Sequence, residues 1–288
     1  MDWASQLNEY ENQKMAFLKA HIQDSGAKYK KFVDSLREFY ILALFLGEKK
    51  FQSPQFKESR IKQLYAKSAL DAYSVYLCLM NGLNIQTASI IRSQFETFVA
   101  ISTIFSGNVQ FNTKLYDNYQ YVEKWLDMRS KQKLVANNNL AQKEYAKYFS
   151  AESQKIISDQ YSNYKEYYHP RKPYHWAWFI YKDGLNGRNP NLRNMAEGCG
   201  LKDDYDRLYG LLSISVHSSP LLAKWMVSDK GVTILPKFSE LTKGYALLSL
   251  NYLIKTIKSF SEHWLDPGEY TSLQSFIDAN HRRVVKDF

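Results

Sequence analysis

Arg92 and Glu96 stand four residues apart in TASIIRSQFETFVA, residues 87–100, a stretch otherwise made of Ile, Phe, Val and small side chains. At that spacing the two share one face of a helix. A second set, Tyr209, Ser213 and His217 in YDRLYGLLSISVHSS, repeats every four residues and shares another face. Charges among apolar neighbours must be paired, because a stranded buried charge costs roughly 3–5 kcal/mol. The pattern has two readings. One is a structural ion pair that joins two helices through the histidine. The other is a polar pocket in which Arg92 binds a phosphate, His217 moves a proton as general acid or base, and Glu96 orients one of them.

The run HPRKPYHWAWF at residues 169–179 carries a different chemistry. Arg171 and Lys172 lie among Tyr167, Tyr168, Tyr174, Trp176 and Trp178. Cations interleaved with aromatic rings suit single-stranded nucleic acid, through phosphate contact and base stacking. A loop that packs its rings onto a helical bundle has the same composition. His169 and His175 flank the two cations, which oppose a metal, and Glu166 makes one Glu-x-x-His pair with His169. No glycine-rich phosphate loop, dinucleotide fingerprint or His-Glu-x-x-His occurs, so no cofactor and no metal is assigned. Cys78 and Cys199 lack a neighbouring basic activator in the sequence and read as small buried residues in a reducing compartment.

These side chains need helices to position them. Apolar residues recur at three- and four-residue spacing nearly throughout, which predicts an all-α, multi-helix bundle with one short β-hairpin at 226–236. The spacing predicts helices over residues 3–23, 28–46, 53–80, 85–105, two long ones over 108–168, a short one at 192–197, and then 203–217, 240–264 and 270–286. Ser25-Gly26, Gly47, Asn81-Gly82, Ser106-Gly107, the ANNNLA break at 136–141 and Asp266-Pro267-Gly268 read as the stops between them. With no flexible linker, residues 1–288 read as a single helical domain. Its parts are N-terminal helices (1–52), a central hairpin (53–107), outer long helices (108–168), an irregular basic and aromatic connector (169–200) and C-terminal helices (201–288).

The chain has 288 residues, 45% of them apolar, and a formal charge of +9. That length and composition can build a core without disulfide or metal staples. The charge points to a polyanionic partner such as RNA, or to a solubilising surface. The polar, acidic start is unlike a secretory signal, and the longest apolar run, residues 39–46, falls short of the ~20 residues of a membrane span. The expectation is a cytoplasmic protein with no membrane contact.

The order AKSALDAYSVYLCLMNGLNIQTASIIRSQFE, then a distant Tyr-x3-Ser-x3-His, resembles a bacterial all-helical family of unknown function, distantly similar to the HEPN superfamily. Ala66, Lys67, Gly82, Arg92, Glu96, Tyr209, Ser213 and His217 match the pattern, over about residues 57–236. The resemblance implies a helical effector of antiphage defence or toxin systems, acting as a metal-independent ribonuclease. Arg92 would stabilise the pentavalent phosphate there. A homodimer and a protein partner from the same operon are implied with it. The superfamily's nuclease motif is Arg, then four to six residues, then His, all on one helix. Here Arg207 stands ten before His217, so Arg92 would meet His217 through the fold or across a dimer. The competing expectation is a non-catalytic helical scaffold that binds a protein or RNA, with Arg92, Glu96 and His217 structural.

Overall fold

Apolar faces at helical spacing do produce helices along the chain, which the computed structural model describes at residues 11, 15–16, 19–137, 141–173, 175–214, 227–228, 231–232 and 238–286. The packing divides into two compact units. Unit 1 is Met1–Glu58, Lys62–Ile101 and Leu201–Phe288, and unit 2 is Ser59–Ile61 and Ser102–Gly200.

Unit 1 is organised by three elements. Helix α1 (Lys30–Phe45) buries Phe32, Val33, Leu36, Phe39 and Ala43 and widens into a π-helical turn at Leu46–Lys50. Ser25-Gly26 does not stop the preceding helix. Residues 19–26 are helical, and the chain runs on through the 3-10 turn Ala27–Tyr29 with helical dihedrals at Gly26. A short helix α2 (Pro54–Glu58) opens under Ser53, whose hydroxyl accepts the Phe56 amide at 3.2 Å. It ends at Ser59, and a new helix, α3 (Ile61–Met80), begins. Asn81-Gly82 closes α3 as expected, with Gly82 at φ 66° and the Leu83 amide returning to the Cys78 carbonyl at 2.9 Å. Helix α4 (Asn84–Phe105) completes the hairpin and carries Arg92 and Glu96.

Against this hairpin lies the helix Glu240–Trp264, which buries Tyr245, Leu250, Leu253, Ile257 and Phe260. Thr242, Ser249 and Thr256 succeed one another every seven residues, two helical turns, and so lie on one stripe. Each is fully buried and bonded to the hairpin. The Thr242 hydroxyl donates to Asn84 Oδ1 at 3.2 Å, and Ser249 exchanges two bonds with Gln94 at 2.8 and 3.2 Å. Thr256 meets Ser68 at 3.1 Å. Asp266-Pro267-Gly268 ends this helix and also starts the next, Pro267–Val285, since proline fits a first helical turn.

Unit 2 has its own core. Helix α5 (Val109–Ala136) starts at Asn108, whose side chain caps the Phe111 amide at 3.1 Å. The expected second long helix is two, α6 (Gln142–Tyr148) and α7 (Ala151–Tyr164), because Ser150 accepts the Ser153 amide and caps a fresh start. Met128, Tyr145, Phe149 and Ile157 form the core between them, with Trp125 and Val135 against it. Two short helices, α8 (Trp178–Tyr181) and α9 (Leu192–Gly198), complete the unit's regular elements.

The expected hairpin is present as a pair of two-residue strands, Val227–Ser228 and Gly231–Val232, antiparallel in the register Val227↔Val232. Among the described residues no helix is long and apolar enough to cross a membrane.

The break between α2 and α3 has a specific cause. The Asp117 carboxylate accepts the Ser59 hydroxyl at 2.9 and 3.0 Å and the Arg60 amide at 2.8 Å. A side chain from α5 thus satisfies donors that a continuous helix would have used. Burial raises the Asp117 carboxyl against the pull of Ser59 and the Arg60 amide. Asp117→Ala leaves buried Ser59 and that amide without their acceptor, and should cost about 2–3 kcal/mol. Asp117→Asn, which keeps one acceptor oxygen, should cost less. Urea midpoints of the three proteins check this, and coincident midpoints would show that the carboxylate does not hold the break.

Candidate functional site

Tyr209 is aimed by a departure from regular helix. Lys202–Asp204 leads into the π-helical turn Tyr205–Tyr209, and Gly210–Ile214 continues it as α-helix. The wider turn rotates residues 210–214 relative to an unbroken helix, and such turns concentrate at functional sites. The Tyr209 ring stacks on Tyr205 at 4.8 Å and meets Phe95 of α4 at 6.2 Å. The Ser213 hydroxyl donates to the Tyr209 carbonyl at 2.5 Å, so Ser213 secures the backbone of the turn.

The hydroxyl of Tyr209 closes a triangle with the ion pair of α4. Arg92 donates from Nε to Glu96 Oε1 at 3.1 Å and from Nη2 to Tyr209 Oη at 2.6 Å. Tyr209 Oη in turn donates to Glu96 Oε1 at 2.9 Å. The guanidinium also stands 4.6 Å from the centre of the Tyr209 ring, in cation–π range. The Arg92 side chain is 19% exposed and that of Glu96 43%. The triangle lies at the rim of unit 1, open to solvent on the carboxylate side. At that exposure the pair contributes ~0–1 kcal/mol to stability.

Electrostatics assign the protons. Burial, then the Glu96 carboxylate, raises the Tyr209 phenol above its ordinary value, with Arg92 opposing. The phenol therefore stays protonated at neutral pH and serves as a donor. For Arg92 burial is the largest influence and lowers it, but Tyr209 and Glu96 together prevail and raise it. Arg92 is a permanent cation. His217 lies outside the described residues.

A second cluster continues the polar strip on the same hairpin. Lys67 of α3 donates to Asp71 Oδ2 and to Ser93 Oγ, both at 2.6 Å. Ser93 comes directly after Arg92 and precedes Glu96 by three residues, so all three share one region of α4. Burial raises the Asp71 carboxyl, against Lys67 and Ser93. Asp71 and Ser93 did not emerge from the sequence. The i, i+4 rule that singled out Arg92 and Glu96 picks out Lys67 and Asp71 equally.

In unit 2 the connector at 167–178 is packed by its rings. Tyr168 is 1% exposed and donates to the Leu115 carbonyl at 2.8 Å. Trp176 is buried edge-on to Tyr116 at 5.3 Å, and Trp178 Nε1 donates to the Gly187 carbonyl at 2.9 Å. Arg171 and Lys172 remain exposed. Tyr174 lies outside the described residues. Among the described residues no group of three or more His, Cys, Asp and Glu could hold a metal ion.

No curated protein and no solved structure matches the chain. Residues 58–231 match a family of unknown function. The matched span takes in Lys67, Asp71, Arg92, Ser93, Glu96, Tyr209 and Ser213, and the connector as well.

His175 gives this region a measurable pH response. Burial lowers its imidazole to about 4, and Nδ1 accepts the Ala177 amide at 3.2 Å, so the ring is neutral in the folded chain. The unfolded chain takes up that proton first, near pH 6.5. Stability should therefore fall as pH drops from about 6.5 to about 4, by on the order of 3 kcal/mol from this group alone. The check is the difference in urea midpoint between wild type and His175→Gln across that window. Parallel curves would show that His175 is not a buried neutral group.

Proposed function

We propose that this chain, which belongs to the family of unknown function DUF5677, is a phosphate-handling effector that acts on RNA as a metal-independent, HEPN-like ribonuclease. The observation that carries the reading is the Arg92–Glu96–Tyr209 triangle. It is a permanent cation and a protonated phenol held at the solvent edge by a carboxylate only half shielded from water. A phosphodiester entering there would take the guanidinium from Glu96, since paired N–H donors suit phosphate oxygens as they suit carboxylate. Arg92 would then stabilise the charge on a pentavalent phosphorus, and Tyr209 would donate a second hydrogen bond to it. Glu96, released from Arg92, would orient His217. His217, through the resemblance of its Tyr-x3-Ser-x3-His setting, would be the general acid or base.

A second reading, a non-catalytic scaffold for a protein or RNA partner, has one observation in its favour. An apolar groove of about 340 Å³ on unit 1 is lined by Phe39, Ile41, Leu42, Phe45 and Phe276, with Glu38 and Asn280 at its edge. Ile41, Phe45 and Phe276 are each half or more exposed. Surfaces of that kind mark interaction sites.

Incubation with total RNA separates the two. Wild type should cleave it in the presence of a chelator. Arg92→Ala and His217→Ala should each lose at least about a hundredfold in rate, and Tyr209→Phe about tenfold. Unchanged cleavage by Arg92→Ala would dismiss this site. No cleavage by freshly purified wild type on single-stranded or structured RNA would favour the scaffold.

A further inference from the structure

The net charge of the chain is unevenly placed. Unit 2, residues 59–61 and 102–200, carries 15 Lys and Arg against 9 Asp and Glu, a net +6 of the total +9 in about a third of the residues. Within it, the backbone at 169–173 is fixed by polar bonds whose purpose is not a core. His169 Nδ1 accepts two successive amides, Arg171 N–H at 3.2 Å and Lys172 N–H at 3.0 Å. Asn189 Nδ2 donates to the Lys172 carbonyl at 2.8 Å, and Tyr119 Oη donates to the Pro173 carbonyl at 3.2 Å. The His169 ring rests edge-on against Trp178 at 5.8 Å. Pro170 and Pro173 restrict the chain on either side. Arg171 and Lys172, the side chains so presented, are exposed and make no ion pair among the described residues.

From this we infer that the 169–173 loop is a preorganised contact for the phosphodiester backbone of a nucleic acid, with Arg171 and Lys172 touching phosphates and His169 as the residue that positions them. Ordering a loop around two solvated cations gains the fold nothing from those side chains, whereas it lowers the entropy lost when they meet fixed anions. Among the described residues, the neighbouring rings of Tyr168, Trp176 and Trp178 are occupied within unit 2, which argues against base stacking as the mode of contact. It also disfavours a membrane surface, where peripheral binding relies on exposed apolar and aromatic side chains as well as charge. The contact reads charge and not sequence, and it should not distinguish a single strand from a duplex, or RNA from DNA, beyond their charge density. This surface belongs to unit 2 and the Arg92 triangle to unit 1, so its failure would leave the cleavage proposal untouched.

The experiment is fluorescence anisotropy of the full chain with labelled single-stranded RNA, duplex RNA and duplex DNA at several salt concentrations. Vesicles of phosphatidylcholine and phosphatidylserine serve as the membrane arm. All three nucleic acids should bind within a few-fold of one another at equal phosphate count. Arg171→Ala/Lys172→Ala should lower the slope of log K against log salt by roughly 1.4 on single strands and 1.8 on duplex DNA. His169→Ala should weaken binding several-fold at an unchanged melting temperature, and His169→Asn, whose side-chain oxygen can accept the same amides, should restore it. The double variant binding with wild-type affinity and slope would overturn the inference. So would a single strand preferred tenfold over duplex, which is the mark of stacking, or binding to vesicles alone.

Discussion

Three hydroxyls on one stripe of the Glu240–Trp264 helix govern the geometry of unit 1. Thr242, Ser249 and Thr256 each face a polar partner on the α3–α4 hairpin, in surroundings otherwise built from Leu, Ile, Phe and Tyr. Apolar packing alone tolerates a helix slid or rotated along its neighbour. A buried hydroxyl or amide without its partner costs about 1–3 kcal/mol, and all three pairs would be lost together in any other register. Gln94, fully buried and bonded to Ser249, fixes the rotation of α4. Arg92 lies two residues earlier, roughly 200° around the helix. The bond that turns Gln94 inward therefore turns Arg92 outward, to the rim where Tyr209 meets it.

The strip of charges on that rim obeys one rule. A cation is tied to an acid four residues on in the same helix and to a hydroxyl from another element: Lys67 to Asp71 and Ser93, Arg92 to Glu96 and Tyr209. Such pairs contribute little to stability at this exposure, so their effect is on shape. Each long side chain is held in one place and its charge is kept partly neutralised. An anion that arrives exchanges one set of charged hydrogen bonds for another. Under the proposed function, this arrangement would favour an anion that offers more acceptor oxygens than a single carboxylate does, as a phosphate offers.

Much of the helical plan was legible because it rests on local signals: Asn81-Gly82 and Ser106-Gly107 as stops, Pro54 as a start, the break near residue 137. The illegible parts depend on distant residues. Ser59 interrupts a good helical sequence because Asp117, 58 positions later, takes its hydroxyl and the next amide. Ser25-Gly26 looks like a stop, but Gly26 stays helical, and the Phe238 ring lies only 3.1 Å from where a Cβ would sit. The apolar residues around Glu96 could not say whether it sits inside unit 1 or at its edge, and its 43% exposure places it at the edge. The boundary between the units falls at residues 101 and 102, inside the Asn84–Phe105 helix, so no linker composition marks it. In the 167–178 connector, composition could not decide between rings that pack and rings that wait for bases. Distances to Leu115, Tyr116 and Gly187 show that Tyr168, Trp176 and Trp178 pack.

The hydroxyl stripe also sets an order of events on the ribosome. Asn84, Gln94 and Ser68 leave the exit tunnel 155 to 188 residues ahead of the groups that satisfy them. At 5–20 residues per second that is a wait of roughly 10–40 s. During it the face of the α3–α4 hairpin that meets the Glu240–Trp264 helix has no helix to cover it. Residues 102–200, by contrast, emerge as one stretch containing nearly all of unit 2. The nascent chain thus passes through a stage in which its central segment can be structured while the hairpin before it is exposed. A chaperone would be needed most in that interval, before the last helices emerge.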